Sequence, residues 1–213
     1  MNDLQMARGT IEGGYNLAVG EPVLLQRHLI FPEFKNSEPL EYPTIHGLDS
    51  LVSELGSLYP GHEIVVTNGA KQALLAAFYA FKTLYQKLYV QHNEPMWPSY
   101  PTLARFAGIN WGHGEESTVK CITSPNNPDG AEFTESCDIW DSVYAHWLYG
   151  WSGCAPEYTV RVGSASKLLG LSGARLGWLV TKDIKIAEAA RNYVEFTTSG
   201  VNKLSQKIVS DAL

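Results

Sequence analysis

Lys167 sits among small and hydroxyl residues in the run Ser164-Ala165-Ser166-Lys167-Leu168-Leu169-Gly170-Leu171-Ser172-Gly173-Ala174-Arg175, with an arginine eight residues on. A lysine amine attacks a carbonyl only when unprotonated, and desolvation or a neighbouring cation lowers its pKa. Arg175 can supply that cation. The small residues let the backbone approach a flat ring, and the hydroxyls of Ser164 and Ser166, with Arg175, can hold an anion such as a phosphate. A nucleophilic lysine, a phosphate clamp and room for a ring together suggest pyridoxal 5'-phosphate. A surface lysine in a glycine-rich turn before a strand (Leu176 to Thr181) would look alike in this window, so the rest of the chain decides.

Glu63-Ile64-Val65-Val66-Thr67 reads as a short β-branched strand, and Asn68-Gly69-Ala70-Lys71-Gln72-Ala73-Leu74 turns directly into an apolar helix reaching about Tyr85. A helix start with free N–H groups binds phosphate well. A strand at Leu88 to Gln91 precedes Asn93-Glu94-Pro95-Met96-Trp97-Pro98-Ser99-Tyr100, in which Trp97 offers an indole face and Tyr100 a neighbouring ring. A strand from Thr118 to Thr123 leads into Ser124-Pro125-Asn126-Asn127-Pro128-Asp129-Gly130, and Cys137-Asp138-Ile139-Trp140-Asp141-Ser142-Val143-Tyr144 carries an aspartate and, three residues on, a tyrosine. Each has a purely local reading as well: a strand-Gly-helix junction occurs in many α/β proteins, and Asn-Pro-Asp-Gly is a good turn.

Taken in order, these segments resemble the fold-type I pyridoxal-phosphate enzymes, the aspartate-aminotransferase-like family of class I/II aminotransferases. Ser-Pro-Asn-Asn-Pro-Asp-Gly, Gly-Trp-Leu-Val-Thr-Lys-Asp and the segment Tyr193 to Val201 look most like its alliinase and tryptophan-aminotransferase branch. The resemblance implies a Schiff base on Lys167, a phosphate cup of Gly69, Ala70 and Lys71 with Ser164, Ser166 and Arg175, and Trp97 stacked on the ring. It also implies Asn127 and Tyr144 on the ring hydroxyl oxygen, with Asp141 pairing with the pyridine nitrogen. Tyr15 to Pro22 resembles the substrate-side strand, with Gly20 against the amino acid. Tyr42, in Glu41 to Leu48, resembles the tyrosine that reaches the neighbouring subunit's phosphate, which implies a homodimer with shared sites. The implied fold is a three-layer α/β/α arrangement around a mainly parallel, seven-stranded sheet.

Only 14 residues separate Asn127 from Asp141, too few for the helix relatives place there, so the layer over that side of the sheet is expected to be thinner. The stretch from Trp97 to Asn127 has room for little beyond one helix and a strand. The sequence reaches Leu213 soon after helices predicted at Ile184 to Thr197 and Val201 to Leu213. The expectation is therefore an N-terminal arm and substrate-side segment at residues 1–40 and a cofactor-binding large domain at 41–213, with the small domain largely absent. No residue can be matched to the arginine that this small domain supplies to the substrate carboxylate. Arg27, Arg105 and Arg191 are expected at solvated surfaces.

With 213 residues and 45% hydrophobic content the chain can bury one substantial core. A net charge of -6 without a Lys/Arg cluster argues against a general nucleic-acid or anionic-membrane surface. There is no apolar run long enough to span a bilayer and no signal-peptide pattern at Met1 to Thr10, so a cytoplasmic protein is expected. Cys121, Cys137 and Cys154 lack metal-ligand spacing and read as reduced thiols, and the histidines, His146 near Tyr144 included, show no ligand pattern. Gly150 to Pro156 reads as an exposed loop. The leading expectation is an aminotransferase whose small-molecule substrates are an amino acid and a 2-oxo acid. The alternatives are a decarboxylase or lyase with an open site, acting on an amino acid carried by a peptide or modified nucleotide, and a silent relative that keeps the fold for binding.

Overall fold

The computed structural model describes residues 41–114, 117–145 and 155–213. Gly20, Arg27, His146, Cys154 and most of the Gly150 to Pro156 loop lie outside them. The helix Asp49–Leu58 (α1) is followed by β1 (Glu63–Thr67), α2 (Ala70–Tyr85), β2 (Tyr89–Gln91), α3 (Tyr100–Phe106), β3 (Asn110–Trp111) and β4 (Thr118–Thr123). Then come β5 (Cys137–Asp141), β6 (Tyr158–Ser164), the single turn α4 (Ala165–Leu168), β7 (Gly177–Thr181), α5 (Ile184–Thr198) and α6 (Lys203–Ala212).

The seven strands form one sheet in the order β1-β7-β6-β5-β4-β2-β3, in which β7 runs antiparallel to both its neighbours and every other pairing is parallel. This is the mainly parallel α/β fold that the sequence implied. The two-residue β3 and the strand β6 had not been singled out. β3 is too short for a two-residue alternation to register, and β6 interleaves its buried valines with Thr159 and Arg161.

α2 lies against the sheet because its inward face is small: Ala73, Ala76, Ala77 and Ala80 let the helix approach, and Leu74, Phe78 and Phe81 fill the space beside them. α5 packs along α2 and over β1 and β7. Arg191 of α5, expected at a solvated surface, instead donates to Glu63 Oε2 at 2.7 Å and to the Ile64 carbonyl at 3.2 Å, tying that helix to β1. Cys121 of β4, Ile139 of β5 and Val160 of β6 are register partners in the main core. The adjoining row, Ile122, Trp140 and Arg161, faces the opposite side. A smaller core of Ile122, Cys137, Trp140 and Ala145 lies there, and no helix stands between Asn127 and β5. No helix among the described residues is long and apolar enough to cross a membrane.

Because β7 alone is reversed, the C-terminal ends of β1, β4, β5 and β6 meet the N-terminal end of β7 along one edge of the sheet. Ligand sites of open α/β sheets lie at that edge, outside the carboxyl ends of the strands.

Candidate active site

β1 ends at Thr67, and the chain enters α2 through Gly69 at φ 83°, a conformation open to glycine but strained for residues with a Cβ. No side chain caps α2, and the Ala70 and Lys71 N–H groups meet no acceptor among the described residues. The guanidinium of Arg175 lies across this start, so close that a Cβ on Gly69 would stand 2.7 Å from its terminal nitrogen. Arg175 is itself left-handed at φ 52° and donates to the Ser172 carbonyl at 2.8 Å, which aims its other nitrogens at Gly69. Unpaired backbone donors, a helix dipole and a guanidinium converge on one spot, an arrangement suited to a dianionic phosphate.

Gly177, which the sequence had not marked, makes this cup possible. It sits in register between Ser164 and Thr67, and a Cβ there would come within 2.6 Å of the Gly69 carbonyl carbon and 2.7 Å of the Ala70 nitrogen. Those are backbone atoms that cannot rotate away. Gly177→Ala is expected to cost on the order of 3 kcal/mol and to weaken phosphate binding. Gly173→Ala, where nothing lies within 4 Å, should change stability by no more than about 0.5 kcal/mol. Urea unfolding of the two variants makes the comparison, and equal midpoints would remove Gly177 from the cup.

Asp141 closes β5, and its carboxyl is 4% exposed. The Tyr100 hydroxyl donates to Oδ2 at 2.6 Å and the Val143 N–H to Oδ1 at 3.3 Å, but no cation among the described residues pairs with it. Burial pushes its pKa up to about 6 against the pull of Tyr100. A buried carboxylate with two donors and no counter-charge fits a protonated pyridine nitrogen. With the anion cup, this makes the donor set fit pyridoxal phosphate at both ends.

Behind Asp141 stands a support that the sequence did not reveal. Since the Tyr100 hydroxyl gives its proton to Asp141, Thr123 Oγ1, at 2.5 Å, donates to it in turn. Thr123 N–H donates to His92 Nε2 at 3.0 Å, so that nitrogen carries a lone pair and Nδ1–H donates to the Asn93 carbonyl at 2.6 Å. His92 stacks on Tyr100 with centroids 4.8 Å apart, and burial lowers its pKa, keeping it neutral. Trp97 meets Tyr100 edge-on at 5.3 Å. The only hints in the sequence were the Trp97 and Tyr100 spacing and the polar Thr123 ending a buried strand.

The remaining residues fall around these two ends. Asn127 Nδ2 donates to the Tyr144 hydroxyl at 3.2 Å, so the turns after β4 and β5 meet as a pair. The Tyr144 hydroxyl's pKa is raised, first by burial and then by the Asp141 charge. Asn126 ties the Asn127 turn to the Trp97 loop through the Pro95 carbonyl at 2.8 Å. Lys167 Nζ lies 5.9 Å from the centroid of the Tyr144 ring. Ser164 caps its turn by accepting from Ser166 N–H at 3.1 Å, which orients the short helix bearing the lysine. Lys71, placed by sequence in the cup, directs its amine over the Trp97 face, 5.0 Å from the centroid. Tyr42 is 86% exposed. Gly20 lies outside the described residues.

Residues 57–213 match the allinase family model. Tryptophan aminotransferase-related protein 2 of Arabidopsis thaliana is 32% identical over 174 residues, covering 70% of this chain and 39% of that protein. Alliin lyase of Allium cepa var. aggregatum is 32% identical over 104 residues, 43% of this chain and 21% of the lyase. Among solved structures, a Thermus thermophilus aspartate aminotransferase mutant complexed with tryptophan superimposes with a TM-score of 0.68 at 21% identity, over 81% of this chain and 57% of that one. The chain thus spans less than half the length of the curated relatives it matches.

Proposed function

The chain belongs to the allinase family of pyridoxal-phosphate-dependent, aspartate-aminotransferase-like proteins, and from that premise we propose that it is an amino-acid-converting enzyme, foremost an aminotransferase. The observation that carries the reading is the buried Asp141, with no cation paired to it among the described residues, at the same sheet edge as an uncapped helix start faced by Arg175. When bound, pyridoxal phosphate supplies an electrophilic carbon for amine capture and a ring that withdraws electrons from the bonds at the substrate's Cα.

The protein groups divide the remaining work. Gly69, Ala70, Lys71, Ser164, Ser166 and Arg175 hold the phosphate, and Trp97 covers the ring and excludes water. Asn127 and Tyr144 hydrogen-bond the ring oxygen, while Asp141 keeps a proton on the ring nitrogen. Lys167 would hold the cofactor through its amine and, once the substrate amine has taken that place, would serve as general base for the Cα proton. Exposed Tyr42 is available to a second copy, in keeping with a homodimer whose sites are shared. The substrates would be small molecules, an amino acid and a 2-oxo acid.

A lyase is the second reading, favoured by the family model and by the likeness to alliin lyase. In that case Lys167 removes the same proton and a β-substituent leaves.

The test is to add pyridoxal phosphate to the purified protein, record the visible band, reduce with borohydride and map the modified peptide. The expected result is a yellow protein carrying the adduct on Lys167. No band, or an adduct on Lys71, would overturn the reading. A panel of amino acids then separates the two chemistries: stoichiometric 2-oxo acid with the cofactor left as its amine means transamination, whereas release of ammonia means elimination.

A further inference from the structure

Arg161 of β6 is a partly buried cation that no carboxylate among the described residues neutralises. Its guanidinium lies instead between two aromatic faces, 4.3 Å from the Trp140 ring centroid and 4.9 Å from that of Tyr59. Its edge is also engaged: Nε donates to Ser142 Oγ at 2.8 Å and a terminal nitrogen to the Ala145 carbonyl at 3.4 Å. Ser142 in turn donates to the Val162 carbonyl at 2.7 Å. The fork therefore grips both ends of the turn 142–145, which carries Tyr144.

Trp140, on which Arg161 stacks, donates its indole N–H to the Ser124 carbonyl at 2.9 Å. Ser124 opens the turn that carries Asn127. One stacked pair on the far face of the sheet thus braces the roots of two loops, and the tips of those loops meet in the Asn127 to Tyr144 hydrogen bond. Among the described residues, neither loop carries a helix to stiffen it. A planar arginine can stack and fork at once, which neither a lysine nor an apolar side chain can do.

We infer that Arg161, stacked on Trp140, is a positioning residue that sets the Asn127 and Tyr144 pair against the cofactor's ring oxygen; this rests on the cofactor reading above. It touches no reacting atom, so its influence must pass through Tyr144 and Asn127.

The test is a double-variant cycle on the full chain with pyridoxal phosphate as ligand, using Arg161→Met, Tyr144→Phe and the two combined. Two quantities are read: the dissociation constant for the cofactor and the pH midpoint of the bound cofactor's visible band. Arg161→Met and Tyr144→Phe are each expected to weaken binding about tenfold and to move the midpoint the same way, with the combination scarcely worse than either alone. Arg161→Lys should behave like Arg161→Met, since charge without a planar fork does not brace the turns. Should Arg161→Met prevent folding, Arg161→Lys carries the same cycle. Unchanged constants and midpoint, costs that add in the combined variant, or full rescue by lysine would each overturn the inference. A wild-type chain that forms no band at all would instead sink the cofactor reading itself.

Discussion

Asp141→Asn is expected to make the cofactor-free protein more stable at neutral pH while abolishing its chemistry. The carboxyl's pKa is raised by burial from 3.8 to about 6. Near pH 4 and below, it carries its proton in the folded chain and costs nothing as a charge. Between about pH 4 and pH 6 the folded chain keeps a proton that the unfolded chain releases, so stability falls as pH rises, and above pH 6 the full penalty of about 3 kcal/mol persists. An asparagine removes that penalty and can still accept from Tyr100, but its amide N–H would face the Val143 N–H now donating to Oδ1. Subtracting about 1 kcal/mol for that lost bond leaves a gain of about 2 kcal/mol at pH 8, which disappears between about pH 4 and pH 5 and becomes a loss of up to about 1 kcal/mol at lower pH.

With cofactor present the sign reverses. The amide cannot hold a proton on the ring nitrogen, and turnover should fall on the order of 10^3-fold. Urea unfolding of both forms at pH 4 and pH 8, without cofactor, checks the first half. A variant less stable than the wild type at pH 8 would mean that the carboxylate is compensated within the protein and is not awaiting a cation. Destabilisation stored at one residue in this way is what a site built around a charged ligand entails.

That a buried Asp141 at a strand end and a strand-Gly-helix junction could be placed from the sequence has a physical reason. Their signals are local: a β-branched run ending in Asn-Gly, an aspartate closing a buried strand, small residues around a lysine. Asn127 and Tyr144 could also be paired, because β4 and β5 are adjacent and parallel and both loops leave by the same edge. What stayed hidden depends on contacts between residues far apart in sequence. The hydrogen bonds of Tyr100 reach 23 residues to Thr123 and 41 to Asp141, and no local pattern records them. Gly177 looks like any glycine before a strand until β7 is seen reversed between β1 and β6, with its first residue against the cup. Arg161 had no sequence signal, since its partners Tyr59, Trp140 and Ser142 come from three separate segments. Sheet order, more than secondary structure, decides which residues support the site.

Lys167→Ala and Lys167→Arg together separate the covalent role of the lysine from cofactor binding. The phosphate cup, Asp141, Asn127 and Tyr144 do not depend on the lysine, so both variants should still bind pyridoxal phosphate, though without the wild-type visible band. The alanine variant loses both the attacking amine and the base that moves the Cα proton, so single-turnover rates with an amino acid should fall about 10^4-fold or more. Lys167→Arg keeps a positive charge beside Tyr144, 5.9 Å from whose ring centroid the wild-type amine lies, yet a guanidinium with a pKa above about 12 neither attacks a carbonyl nor accepts a proton at neutral pH. If the lysine served only as a counter-charge to the phosphate, arginine would restore much of the activity. Equilibrium dialysis gives the affinity and stopped-flow absorbance the rate. Near-wild-type turnover in either variant would remove Lys167 from the chemistry, whereas loss of binding in both would mean that the cup and Asp141 are too weak to hold the cofactor without the covalent bond.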